Sequence, residues 1–298
     1  MTSKKATLIG VVAILLWSSI IGLLRSVSDG LGAAGGAAMT YSVASVMLLV
    51  TLGFPRLASI PRRYLIWGGV LFVVYEMCLS LSVGYAHNGR QTIEVGMVNY
   101  LWPSLTMLFA ILFNGQRSNV LIAPGLLLAV IGTFWVLGGD QGFDLAGMWV
   151  NIRSNPFSYG LALAGALIWA AYCSVTSRFA DGKNGITLFV MLTALALWLV
   201  YFGNERQALV FDYRIAIYVL MAAAAMGFGY AAWNVGLLHG NVTVLAGASY
   251  FTPVISSTLS ALMLRTPLSV TFWQGAFMVC AGSILCWLAT RGGASRAT

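Results

Sequence analysis

The segment Glu94-Val-Gly-Met-Val-Asn-Tyr-Leu-Trp-Pro-Ser-Leu-Thr106 reads as an apolar helix, interrupted by proline, that carries an amide, a phenol and an indole. Its pattern returns as Val244-Leu-Ala-Gly-Ala-Ser-Tyr-Phe-Thr-Pro-Val-Ile-Ser256. Tyr100 then matches Tyr250 and Pro103 matches Pro253, each pair 150 positions apart. Proline removes a ladder hydrogen bond and kinks a helix. Kinked, partly polar segments at corresponding places in two halves of a membrane chain are the sequence mark of a transporter's binding site.

The composition supports a membrane setting. Hydrophobic residues make up 59% of the 298 residues and charged residues 8%, whereas a soluble domain is about a quarter charged. The expectation is an all-α integral membrane protein. Uncharged runs cover 6–24, 30–55, 95–116, 118–139, 154–177, 184–204 and 266–290, and 64–89 is broken only by Glu76. The run 215–264 is too long for one span, and His239-Gly240-Asn241 divides it. A span needs about 20 apolar residues, so ten spans are expected. The ten-residue alternating segments of a membrane β-barrel are absent from the sequence.

Five spans per copy is an odd number, so the second copy enters the membrane inverted. Residues 1–137 would form the first five-helix repeat, 138–157 the loop between repeats, and 158–298 the second repeat with a short basic tail. Ten spans place both termini on one side. That side carries ten lysines and arginines against six on the other, which predicts cytoplasmic termini. The net charge of +8 is then a topology signal, and no nucleic-acid partner is expected. The partners are the lipid bilayer and a small-molecule substrate, with a monomer as the expected unit.

Polar and aromatic residues near mid-span mark a candidate cavity. In the third span Tyr75, Cys78, Ser82 and Tyr85 share one helical face. In the fourth, Asn99 and Trp102 share a face, beside Tyr100 and the kink at Pro103. Trp17 of the first span and Trp169 of the sixth stand at corresponding places. Asn234 stands in the eighth span, before its end at His239-Gly240, and Ser249 and Tyr250 precede the kink at Pro253. The expected substrate-binding set is therefore Trp17, Tyr75, Ser82, Tyr85, Asn99, Tyr100, Trp102, Trp169, Asn234, Ser249 and Tyr250. Most other aromatics are expected to anchor or pack the bundle, as interfacial Trp and Tyr do.

Glu76 is the acid well inside a span. A charge there costs about 3 kcal/mol or more, so it is a candidate for proton coupling or for pinning helix packing. Glu94 is expected to be a wet residue at a helix N-terminus. Gly227-Phe-Gly229-Tyr-Ala-Ala232 fits a dinucleotide glycine pattern only formally, because no strand precedes it. The four cysteines and two histidines show no metal-ligand spacing, so no metal, cofactor or enzymatic centre is expected.

Trp17-Ser18-Ser19, Ile168-Trp169-Ala170-Ala171 and the two Tyr-x-x-Pro helices resemble the EamA-type repeats of the drug/metabolite transporter superfamily, over nearly the whole chain. Ile93–Ala110, Tyr230-Ala-Ala-Trp-Asn-Val-Gly236 and Leu238-His-Gly-Asn-Val-Thr243 are similar to its bacterial exporters of aromatic amino acids. The resemblance implies a ten-helix inner-membrane exporter of phenylalanine, tyrosine and tryptophan. Many members place a Gly-Glu pair after the fourth and ninth helices. Here those places read Asn114-Gly-Gln-Arg117 and Leu264-Arg-Thr-Pro267, so a mechanism needing that glutamate does not carry over.

Overall fold

The computed structural model describes residues 2–205 and 208–291. Arg206 and Arg296, both used in the charge count above, lie outside them. The described chain is helical, with no strand among its elements. It runs α1 (Ser3–Leu31), α2 (Ala33–Thr51), α3 (Gly69–Gly84, entered through a π-turn at Tyr64–Gly68), α4 (Gly89–Asn99), α5 (Trp102–Asn114) and α6 (Ile122–Leu137). After these come α7 (Leu145–Ser154), α8 (Pro156–Phe179), α9 (Ile186–Val200), α10 (Tyr213–His239), α11 (Val242–Ser249), α12 (Thr252–Met263) and α13 (Val270–Arg291).

Eight helical stretches are long and apolar enough to cross a bilayer, α4 and α5 together making one of them. Two shorter apolar helices, α6 and α12, complete a set compatible with ten spans. The protein is thus an all-α membrane protein. Helix starts follow polar caps. Asn88 accepts from the Gln91 N–H, Asn155 from Ser158 and Asp212 from Ile215. Each satisfies an N–H that the first turn leaves without a helical partner.

Both proline helices are broken, and the breaks sit before the prolines. Tyr100 and Leu101 form the turn between α4 and α5, and Pro103 lies in the first turn of α5. Tyr250 and Phe251 do the same between α11 and α12, with Pro253 in the first turn of α12. Proline is tolerated there because the first-turn N–H has no helical acceptor to lose.

Two expectations change. The stretch 138–157 is more than a loop, since it holds α7, whose Asp144 side chain accepts from the Ala146 N–H. The first span reaches Leu31, well past residue 24, and turns into α2 through Gly32 alone, at φ 77°. That left-handed backbone favours glycine. Gly36 lies against Val27 of α1.

Packing follows a paired pattern. α1 lies on α10, α3 on α8, α2 on α9, α6 on α13, α1 on α12 and α5 on α8. The α6–α13 contact is a glycine seam. A Cβ on Gly132 would sit 2.7 Å from the Gly275 carbonyl oxygen, and one on Gly282 would sit 2.6 Å from the Gly125 carbonyl oxygen. Small residues let backbones approach this closely in a bilayer.

Candidate functional site: an aromatic cavity between the broken helices

A cavity of about 250 Å³ lies between α1, α3, the α4–α5 and α11–α12 breaks, α8 and α10. From the expected set, Trp17, Tyr75, Asn99, Tyr100, Trp102, Trp169 and Ser249 line it, and so does Glu76. Trp102 and Thr252 are the first residues of α5 and α12, so both half-helix N-termini reach its wall.

The aromatic wall is one connected set of rings. Trp169 lies 4.4 Å from Tyr75 and 6.2 Å from Trp102, centroid to centroid. Across the cavity, Trp17 stands 5.3 Å from both Tyr230 and Trp233 of α10. The Trp17 indole fits because position 229 has no side chain; a Cβ there would meet its Nε1 at 2.6 Å. Tilted and edge-on pairs at these separations are the favoured aromatic geometry.

Polar groups punctuate the wall. Glu76 is 4% exposed. Its carboxylate accepts from the Tyr41 hydroxyl at 2.5 Å and the Tyr230 hydroxyl at 3.0 Å. Asn99 Oδ1 is buried with no hydrogen-bond partner among the described residues. No lysine, arginine or histidine is among the lining residues described.

Three expected residues do not face the cavity. Ser82 is fully buried and donates back to the Leu79 carbonyl oxygen at 2.8 Å. The cavity-facing positions of α3 are instead Tyr75, Glu76 and Leu79. Tyr85 lies past the end of α3, its ring 5.6 Å from Phe157. Tyr250 is turned toward α13, its ring 5.9 Å from Trp287, although its repeat partner Tyr100 does line the cavity. The side chain of Asn234 lies outside the described residues.

Sequence reasoning missed Tyr230, Trp233, Met226 and Thr252, all of which line the cavity. Tyr230 and Trp233 stand in a glycine-rich stretch of α10 without a proline or a repeat match to single them out. Glu94 is also corrected. It is 3% exposed, and its carboxylate receives Arg90 Nε at 3.2 Å, Asn151 Nδ2 at 2.8 Å and the Tyr159 hydroxyl at 2.6 Å. The covering groups come from α7 and α8, distant in sequence, so position at a helix start gave a false reading.

A helical membrane bundle with broken helices around a small aromatic cavity defines a transporter-type site. Residues 156–288 match the EamA-like transporter family. The aromatic amino acid exporter YddG of Escherichia coli K12 is 59% identical, over 98% of this chain and 100% of its own length. Its counterpart in Salmonella typhimurium is 60% identical, over 98% of this chain and 99% of its own. A solved crystal structure with 25% identity superposes with a TM-score of 0.66, covering 98% of this chain and 99% of that one. The chain belongs to the EamA-like transporter family of the drug/metabolite transporter superfamily.

Proposed function

We propose that this protein exports aromatic amino acids, phenylalanine, tyrosine and tryptophan, by opening the central cavity alternately to the two sides of the bacterial inner membrane. The observation that carries the reading is the ring of Trp17, Tyr75, Trp102, Trp169, Tyr230 and Trp233 around a cavity of about 250 Å³. Ligand pockets usually span about 300–1,000 Å³, so this one suits a ligand of amino-acid size. The names of the two exporters with high identity support the same substrate class.

Trp17, Trp102 and Trp169 stack on the substrate's ring, and Tyr75, Asn99, Tyr100 and Ser249 meet its polar end. The N-termini of α5 and α12 carry the positive ends of their helix dipoles. They favour the substrate carboxylate, as half-helix N-termini do in transporters.

Alternation follows from two inverted five-helix repeats. The packing supports them: exchanging spans one to five with six to ten maps α1 on α10 onto α8 on α3, and α1 on α12 onto α8 on α5. Both termini face the cytoplasm, on the lysine and arginine excess, and one chain is the working unit.

Counterflow in proteoliposomes tests the reading. Vesicles loaded with unlabelled phenylalanine should accumulate labelled phenylalanine and tryptophan saturably and in preference to an aliphatic amino acid. Folded protein that gives no entry above empty vesicles would move the substrate to another metabolite or a hydrophobic drug.

A further inference from the structure

Among its described lining residues the aromatic cavity holds an acid and no cation. Glu76 Oε2 accepts from Tyr41 of α2, Oε1 accepts from Tyr230 of α10, and Ser80 donates to the Tyr41 oxygen at 3.2 Å. Both oxygens of the carboxyl group therefore lie within hydrogen-bond distance of a phenol that holds it in place. Paired with a cation the group is ionised, and each phenol then donates to one oxygen.

An ionised carboxylate offers about four lone-pair sites, and these phenols take one on each oxygen. The ion pairs of the described residues do not include Glu76. Buried charges are ordinarily paired. The side open to a partner is the cavity, and the partner it lacks is positive.

Asn99 stands in the same wall, but its Oδ1 is covered and lies against Gly165 of α8. The carboxylate is thus the group in this wall that takes N–H donors from the cavity, and a protonated primary amine supplies three.

Resting on the reading that this cavity binds aromatic amino acids, we infer that Glu76 is the specificity-determining residue for the substrate's amino group. Its carboxylate receives the α-ammonium. Tyr41 and Tyr230 are positioning residues that hold the carboxylate. The Tyr230 ring also packs on Trp17, which ties the acid to the aromatic wall. The protein thereby selects aromatic compounds that carry a protonated amine, and the carboxylate of the substrate matters less.

Competition against labelled phenylalanine counterflow tests this with two probes. Phenethylamine keeps the amine and lacks the carboxylate, and 3-phenylpropanoate is the reverse. In the wild type, phenethylamine should compete at least about tenfold better than 3-phenylpropanoate, the scale of a charge-assisted hydrogen bond. Glu76→Gln should weaken phenylalanine and phenethylamine by about tenfold or more, leave 3-phenylpropanoate unchanged, and erase the preference. Glu76→Asp should retain the preference.

A wild type that takes both probes equally overturns the assignment without any variant. So does a folded Glu76→Gln protein that keeps the amine preference, and if that protein has also lost its response to a pH gradient, Glu76 acts in proton transfer instead. Absence of phenylalanine counterflow in the wild type would sink the export reading alone. Binding of the two probes, followed by tryptophan fluorescence, would still decide the amine assignment.

Discussion

Trp169 is the residue on which the aromatic wall converges. Its ring meets Phe72 at 6.3 Å, Tyr75 at 4.4 Å, Trp102 at 6.2 Å and Tyr172 at 4.9 Å. Each aromatic pair contributes about 0.5–1.5 kcal/mol beyond area burial. Trp169→Ala should therefore lower both phenylalanine flux, by about tenfold, and thermal stability, while Trp169→Phe keeps most of each. Flux per folded molecule and a melting curve check the pair, and unchanged flux in Trp169→Ala would remove the ring from the substrate path. Trp169 and Trp17 were legible in the sequence because a large indole in mid-span has a counterpart in the other half. Tyr41 was not. It is one phenol in a helix of small residues, and its partner Glu76 is 35 positions away.

At the scale of elements, α7 acts as a strap. Asn151 on it holds Glu94 and also donates to the Leu137 carbonyl oxygen at 3.3 Å, while Ser154 accepts from Gln91 at 3.2 Å. Just beyond its end, Asn155 donates to the Tyr85 carbonyl oxygen at 2.8 Å. Replacing Glu94 by alanine removes the acceptor that Arg90, Asn151 and Tyr159 share, leaving Tyr159 only Asn151 Oδ1 at 3.0 Å and Asn151 only the Leu137 carbonyl oxygen, and should cost about 1–3 kcal/mol in denaturant or thermal unfolding. Glu94→Gln should cost less, because one acceptor remains.

The turn at Gly139–Gln141, which leads into the strap, predicts a pH response. Arg90 donates to Asp140 at 3.0 Å and, with Ser269, holds its exposed carboxyl below the usual carboxylate value. A depressed folded-state value means that this tie is fully present above the unfolded value of about 3.9 and is lost as pH falls through the folded one. A spin-label distance between the Gly139–Gln141 turn and α4 should lengthen on acidification through that window, and Asp140→Asn should lengthen it already at neutral pH. The broken helices were legible from their prolines. The strap was not, because its residues acquire meaning only from groups on α3, α4, α6 and α8.

Across the whole molecule, exchange-related packing coexists with local asymmetry. Tyr100 and Tyr250 are sequence counterparts at equivalent breaks, yet one lines the cavity and the other packs on Trp287. The matched tyrosines and prolines were legible as spacing, and this divergence was not, since α13 supplies Trp287 from outside the motif. Two five-span repeats, as proposed, would put both termini on one face, and the lysine and arginine excess would make that face cytoplasmic. A fluorescent protein fused to the C-terminus should therefore light up in the cytoplasm, and fusions in the turn after His239 should behave alike. A dark C-terminal fusion in cells that still export phenylalanine would reverse the topology.

The glycine seam between α6 and α13 leaves little slack between two backbones. Met278, Val136 and Cys286 fill the notches that the glycines leave, so any added Cβ there meets a neighbour already in place. Neither helix contributes a described residue to the cavity wall. The cavity-lining pair α1 and α10 meets in the same way, since a Cβ on Gly236 would sit 2.8 Å from the Gly10 Cα. Backbone thus bears on backbone both at the cavity and behind it.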